Sequence, residues 1–215
     1  MFRHARLKLY QHYLGPYQVR ARKLRSEWFK TAIGLKPHMK IMDLGGTPQM
    51  WGFIDIPLDI TLLNLVHSPT SQAEADSIPR HKFTFVSGDA CNLDLPSNSF
   101  DVVFSNSVIE HVGDEAKRAA FAANVRRLAR KHWVQTPAKY FPIEAHTGMP
   151  FWWYYPESWR QGFIKSWRTQ LPPWTEMIEG TTLVKRDELE RLFPDAVIWP
   201  ERHFGIVKSY VSYRS

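Results

Sequence analysis

One stretch limits the fold more than any other. In Ile41-Met42-Asp43-Leu44-Gly45-Gly46-Thr47-Pro48 a short apolar strand ends on a carboxylate, turns on two glycines and restarts at once as a helix. Thr47 is placed to cap that helix with its hydroxyl, and Pro48 suits its first turn, where a missing N–H costs nothing. Glycine permits positive φ and lets a ligand approach the backbone closely. Strand, glycine turn and helix N-terminus together form the nucleotide-binding crevice of open α/β sheets. Asp-x-Gly-Gly also occurs in ordinary turns, so its weight comes from the segments downstream.

Those segments alternate between strands and helices. Residues 39–45, 59–65 and 83–87 read as strands one to three. Residues 100–105 form strand four, an almost continuous apolar run of the kind buried on both faces of a parallel sheet. Asp114 can cap a helix running to about Lys131, with Phe121, Val125 and Leu128 on its buried side. His132 to Gln135 make strand five, and Lys185 to Phe193 a short helix stopped by Pro194. Ala196–Trp199 and Val207–Tyr213 are strand-like and separated by Gly205, as in an antiparallel hairpin. Upstream, residues 17–33 read as an amphipathic helix. Leu24, Trp28, Ala32 and Ile33 share one face, and Arg20, Arg22, Lys23, Arg25 and Lys30 lie largely elsewhere.

The run Phe85-Val86-Ser87-Gly88-Asp89-Ala90, then Leu93 to Pro96, Ser99 to Asn106 and Ile109-Glu110-His111-Val112 resembles, in this order, class I S-adenosylmethionine-dependent methyltransferases of the small-molecule type. The resemblance covers roughly residues 38–215, and Gly88 to Val112 is its most specific part. Thr136-Pro137 through Phe141-Pro142-Ile143-Glu144-Ala145-His146 is similar to a bacterial subgroup of these enzymes. The resemblance implies an α/β fold, a Rossmann-like and mostly parallel sheet of seven strands in the order 3-2-1-4-5-7-6. A terminal antiparallel hairpin closes that sheet, and S-adenosyl-L-methionine is the implied cofactor. Residues 1–37 then form a basic N-terminal helical extension and 38–215 the methyltransferase domain.

Composition narrows the alternatives. With 215 residues and 44% hydrophobic side chains the chain is long enough for one well-buried domain. No apolar run approaches the ~18 to 20 residues that span a bilayer, and the N-terminus lacks an apolar signal core. The single cysteine, Cys91, excludes an internal disulfide and reads as inert packing in a reducing, cytoplasmic compartment. The net charge of +7 is concentrated in residues 1–40, which hold ten Lys or Arg and one acid, Glu27. Such a patch can meet phosphate-bearing ligands, nucleic acid or an anionic membrane, or be a solvated face.

The resemblance assigns cofactor-binding roles residue by residue. Asp43 helps hold the cofactor's amino-acid end, and Gly45 and Gly46 bring main-chain N–H groups near it. Thr47 and Gln49 stand where the family has further glycines. Asn64 replaces the acid that accepts bonds from the ribose hydroxyls; an Asx turn is its other reading. It also argues against NAD, whose site wants a carboxylate there. Asp89 matches the acid that accepts from the adenine amino group, with Ala90 beside the ring; a loop cap is the alternative. Asn106 follows strand four, where substrate and methyl group meet.

The candidate catalytic residues are His111, Glu144 and His146. His111 can accept a proton from a hydroxyl, or can simply pack beneath the sheet's edge. Glu144 and His146, two apart, form either an orienter–base pair or a salt-linked loop anchor. As two ligands without a third they make no metal site. Residues 139–178 lack a regular period except around Glu157 to Trp167 and hold five of the nine tryptophans. They read as an insertion covering the active site, with Phe151 to Tyr155 as an apolar wall for an acyl chain, an aromatic ring or a membrane interface. The chain lacks the Asn/Asp-Pro-Pro-aromatic run of nucleic-acid amino methyltransferases, so a small-molecule or lipid-like substrate is expected. The expected activity is methyl transfer to an oxygen or carbon nucleophile. A non-catalytic scaffold on the same fold and a nucleic-acid binder using the basic helix are the alternatives; oligomeric state is left open.

Overall fold

The computed structural model describes residues 15–144 and 146–215, with backbone alone for 15–18. The first fourteen residues of the basic extension, and Ala145, lie outside the described residues. The strands are β1 (Lys40–Leu44), β2 (Asp59–Asn64), β3 (Lys82–Ser87), β4 (Val102–Asn106), β5 (Lys131–Pro137), β6 (Val197–His203) and β7 (Ile206–Arg214). They form one sheet in the order β3-β2-β1-β4-β5-β7-β6, as expected. The first five run parallel, and β7 pairs antiparallel with both β5 and β6. The central strands β1, β4 and β5 are buried on both faces, which is why they read as apolar runs and not as alternating ones.

Two apolar layers sandwich the sheet. On one side α4 (Glu115–Leu128) and α7 (Arg186–Leu192) bury Phe121, Val125, Leu128 and Leu189 against Met42, Val103 and Val134. Asp114 caps α4 as its sequence position suggests, accepting the Lys117 N–H at 2.9 Å. On the other side α1 (Gly15–Ile33) and the single turn α2 (Pro48–Trp51) pack Phe29, Ile33 and Trp51 against Ile41, Phe104 and Trp133. A short helix, α3 (Ser71–Asp76), precedes β3.

Two local expectations are corrected. The buried face of α1 is Ala21, Arg25, Phe29 and Ile33, while Leu24 is 60% exposed. Arg25 takes a core-facing position because acceptors elsewhere in the fold satisfy its guanidinium. Thr47 begins α2 in extended conformation but makes no side-chain cap, so Pro48 alone suits that first turn.

The tryptophan-rich segment folds on itself. A 3-10 turn at Trp152–Tyr154 leads to α5 (Glu157–Arg168) and α6 (Pro172–Gly180), which close around Trp152, Ile164 and Ile178. Trp152 and Trp167 stack with ring centres 5.5 Å apart. The Pro-Pro start of α6 reads as a loop in sequence yet suits a first helical turn, which is why this helix has no clear sequence signal. No helix among the described residues is long and apolar enough to cross a membrane.

Candidate active site

The strand register sets the carboxyl ends of β1 to β5 along one edge, with Asn64 beside Ser87 and Asn106 beside Gln135. Open α/β sheets bind ligands at this edge, where β1 and β4 part the crossovers to either side. The sequence-derived residues Asp43, Gly45, Gly46, Asn64, Asp89, Ala90 and Asn106 all end or follow strands here.

The glycine turn is set by what surrounds it. Gly45 has φ +78°, and a Cβ there would overlap the Val108 side chain. Its N–H is already donated to the Leu63 carbonyl at 2.7 Å, so of the two glycines only Gly46 can offer a main-chain donor. A Cβ on Gly46 would collide with the Asp43 carboxylate. Asp43 is fully buried, with Oδ2 accepting from the Trp51 indole at 2.8 Å and Oδ1 unpaired. Burial pushes its pKa up to about 7, against the opposing pull of the Trp51 bond. Asp43 therefore underlies the turn and holds its shape.

Asn64 acts as a donor. Its Nδ2 reaches the Gly46 carbonyl at 3.0 Å and ties β2 to the turn. Asp89 is exposed, its Oδ1 accepting the Cys91 N–H at 2.9 Å, and the Ala90 carbonyl accepts from Asn124 at 3.0 Å. Burial and the neighbouring Asp89 charge raise the Cys91 thiol to about 11, which fits inert packing. Asn106 is engaged by the protein itself, since Oδ1 accepts from Arg25 Nη1 at 2.8 Å. Arg25 also grips Glu201 of β6 through Nε and Nη2. Neither Arg25 nor Glu201 stands out in the sequence. The hint for Arg25 is its place between Ala21 and Phe29 in a four-residue apolar period.

The three candidate catalytic residues come together beyond β4. His111 ends a 3-10 turn, Ile109–His111, and its Nε2 lies 3.0 Å from Nε2 of His146. His146 Nδ1 lies 2.8 Å from Glu144 Oε1, while Glu144 Oε2 accepts the N–H groups of His146 and Thr147 at 2.9 and 2.6 Å. Burial alone would raise the Glu144 pKa, but the hydrogen bonds from His146 and Thr147 outweigh it and hold the carboxyl below its usual range. For His146 burial acts downward, yet the Glu144 bond and charge raise it overall. Burial, with the His146 charge, lowers His111 to about 4.

Glu110, adjacent to His111, points into the same cluster. Its Oε2 accepts from Thr136 Oγ1 at 3.0 Å and its buried Oε1, 3.8 Å from His146 Nε2, has no hydrogen-bond partner. Burial pushes its pKa up to about 7. A cavity of about 10 Å³, room for one water-sized particle, opens between Glu110, Glu144, His146, Trp153 and Thr181. His111, Glu144 and His146 are legible in sequence; Thr136 and Thr181 are not, because their approach depends on the fold alone. Sequence spacing also pairs only two metal-competent groups, where the fold gathers Glu110, His111 and His146 with ligand atoms within 4.8 Å of one another.

Residues 48–132 match the family described as a methyltransferase domain. No curated protein matches the sequence. A S-adenosylmethionine-dependent methyltransferase of Aquifex aeolicus is 14% identical, with 87% of each chain covered and a TM-score of 0.52. Phosphoethanolamine N-methyltransferase 2 of Haemonchus contortus is 17% identical over 84% of this chain and 39% of its own, with a TM-score of 0.54. The PH0226 protein of Pyrococcus horikoshii OT3 is 12% identical over 92% and 90%, with a TM-score of 0.54. At such identities the likeness is one of fold. Domain match, strand order and shared fold together place the chain among the class I S-adenosylmethionine-dependent methyltransferases.

Proposed function

We propose that the protein transfers a methyl group to an oxygen, or an acidic carbon, of a small or lipid-like acceptor. The observation that carries this reading is the Glu144–His146–His111 chain beside the aromatic insertion. Such a chain is needed when the nucleophile arrives protonated. S-adenosylmethionine, when bound, supplies an electrophilic methyl group on a good neutral leaving group.

The residues of the carboxyl edge suit that cofactor. Gly45 and Gly46 leave space that no Cβ may fill, with Gly46 lying over Asp43. Gly46 would admit the amino-acid end. The Asn64 carboxamide oxygen and the exposed Asp89 carboxylate would accept from the ribose and adenine, and Ala90 would flank the ring. Glu144 fixes His146 with the proton on Nδ1, leaving Nε2 as the basic atom. Trp153 and its neighbours would hold the apolar part of the acceptor and exclude water from the reacting atoms.

The test starts with calorimetric titration by S-adenosylhomocysteine, with NADH as the control ligand. Micromolar binding of the first alone, weakened about tenfold or more by Asp89→Ala, is expected for loss of one hydrogen bond to a charged acceptor. Phenolic and lipid-like hydroxyl acceptors are then screened with labelled S-adenosylmethionine. Methyl transfer that persists in His146→Ala would overturn the role given to the cluster. Failure of the ligand to bind at millimolar concentration would favour a scaffold.

A further inference from the structure

We propose that Glu110, His111 and His146 hold a divalent transition-metal ion. The imidazole protons have only one consistent placement. His146 Nδ1 faces the Glu144 carboxylate, which can only accept while ionised, so Nδ1 carries the proton and Nε2 a lone pair. His111 Nδ1 faces Thr181 Oγ1 at 3.2 Å, and that hydroxyl already donates to the Met177 carbonyl at 2.8 Å. Thr181 therefore accepts from His111 Nδ1–H, and His111 Nε2 is a lone pair too. The two lone pairs point at each other across 3.0 Å.

A third donor completes the set. Glu110 is 2% exposed, and its Oε1, without a hydrogen-bond partner, lies 3.8 Å from His146 Nε2. A proton between the imidazoles would join two of these atoms and leave the Glu110 oxygen orphaned. A cation satisfies all three. Two imidazoles and a carboxylate match the ligand set of open zinc sites, in which ligand atoms stand about 3.4 Å apart for bonds near ~2.1 Å. Movements of a few tenths of an ångström bring the present 3.0 and 3.8 Å to that spacing.

The outer contacts agree. Each ligand is fixed from behind: His146 by Glu144, His111 by Thr181 and Glu110 by Thr136. Glu110 and Glu144 are both buried, so a dication beside them offsets two carboxylate charges. The small cavity at Trp153 and Thr182 leaves the cation a free coordination position for a water or an acceptor oxygen.

This deepens the function proposed above and rests on it only for the cation's task, which would be to acidify an acceptor hydroxyl with His146 as ligand. The binding itself needs no acceptor to be known. Chelator-stripped protein is titrated with Zn²⁺ by calorimetry, and with Co²⁺ while visible ligand-field absorption is recorded. The expectation is one ion per chain and a cobalt spectrum of low-coordinate nitrogen ligation. Glu110→Gln and His111→Gln should each weaken binding by about tenfold to a hundredfold or more, and Thr181→Val about tenfold. Circular dichroism checks that each variant is folded, and the cobalt spectrum of the unaltered chain stands without them. No stoichiometric binding at millimolar Zn²⁺ or Co²⁺ would overturn the proposal, leaving a shared proton at the centre. Undiminished binding in folded Glu110→Gln and His111→Gln would overturn it equally. A bound ion without methyl transfer would sink the functional reading and keep the metal site.

Discussion

Arg25 and Glu201 lie 176 positions apart in sequence and form a buried ion pair, Nη2 to Oε2 at 2.8 Å, with side chains 8% and 6% exposed. The pair ties the first described helix to the closing hairpin, and Asn106 and Ser209 complete its hydrogen bonds. Removing one partner leaves a charge without compensation, which is costlier than removing both. Arg25→Ala should therefore lower stability by about 3 to 5 kcal/mol in urea unfolding. Arg25→Met with Glu201→Leu should recover most of that loss. A single variant with an unchanged midpoint would show that the pair contributes nothing.

The glycine turn offers a test of steric cause. A Cβ on Gly46 meets the Asp43 carboxylate, and backbone conformation adds no penalty there. Gly46→Ala should cost about 1 to 3 kcal/mol as an overpacking change. Part of this should vanish in an Asp43→Ala background, a coupling of about 1 kcal/mol or more in a double-mutant cycle. Gly45→Ala carries the added cost of φ +78°, so relieving the clash by Val108→Ala should rescue it only in part. Additive costs at Gly46 and Asp43 would contradict a steric origin.

Acid should act through His132. Burial, aided by the charges of Arg214 and Arg126, lowers its pKa to about 4. The unfolded chain takes up a proton below about pH 6.5 and the folded chain does not until about pH 4. The contribution is thus present above pH 6.5 and lost as pH falls, reaching about 3 kcal/mol by about pH 4. In denaturant titrations between about pH 7 and about pH 4.5, His132→Gln should show a slope shallower by one proton. An unchanged slope would mean that His132 is protonated within the fold.

The fold is legible in the sequence because its signals are local. The strand order comes with the motif resemblance, and the boundaries of β1, β2 and β3 fall within a residue or two of those read from apolar runs. The Asp114 cap and the buried face of α4 are equally readable. Long-range pairing is not. Arg25 looks like one more solvated cation because Glu201 and Asn106 come together only through tertiary structure. Asn64 reads as an acceptor, since nothing in the sequence shows the Gly46 carbonyl that uses its amide as donor. The His111–His146 contact spans 35 positions and is invisible for the same reason, although each residue stands out separately.

The place of β7 has a consequence for biosynthesis. This strand, the last of the seven in sequence, lies between β5 and β6, so neither neighbour can join its final partner before Ile206–Arg214 has been made. Until then the growing chain presents the unpaired backbone of β5, a template for association with other chains. The helix carrying Arg25 must wait as well, because Glu201 is supplied by β6. A chain emerging from the ribosome N-terminus first can pair β1 to β5 early, but it completes its fold only after nearly every residue has been translated. Its most vulnerable moment in the cell falls at the end of synthesis, when a holding chaperone would protect it most.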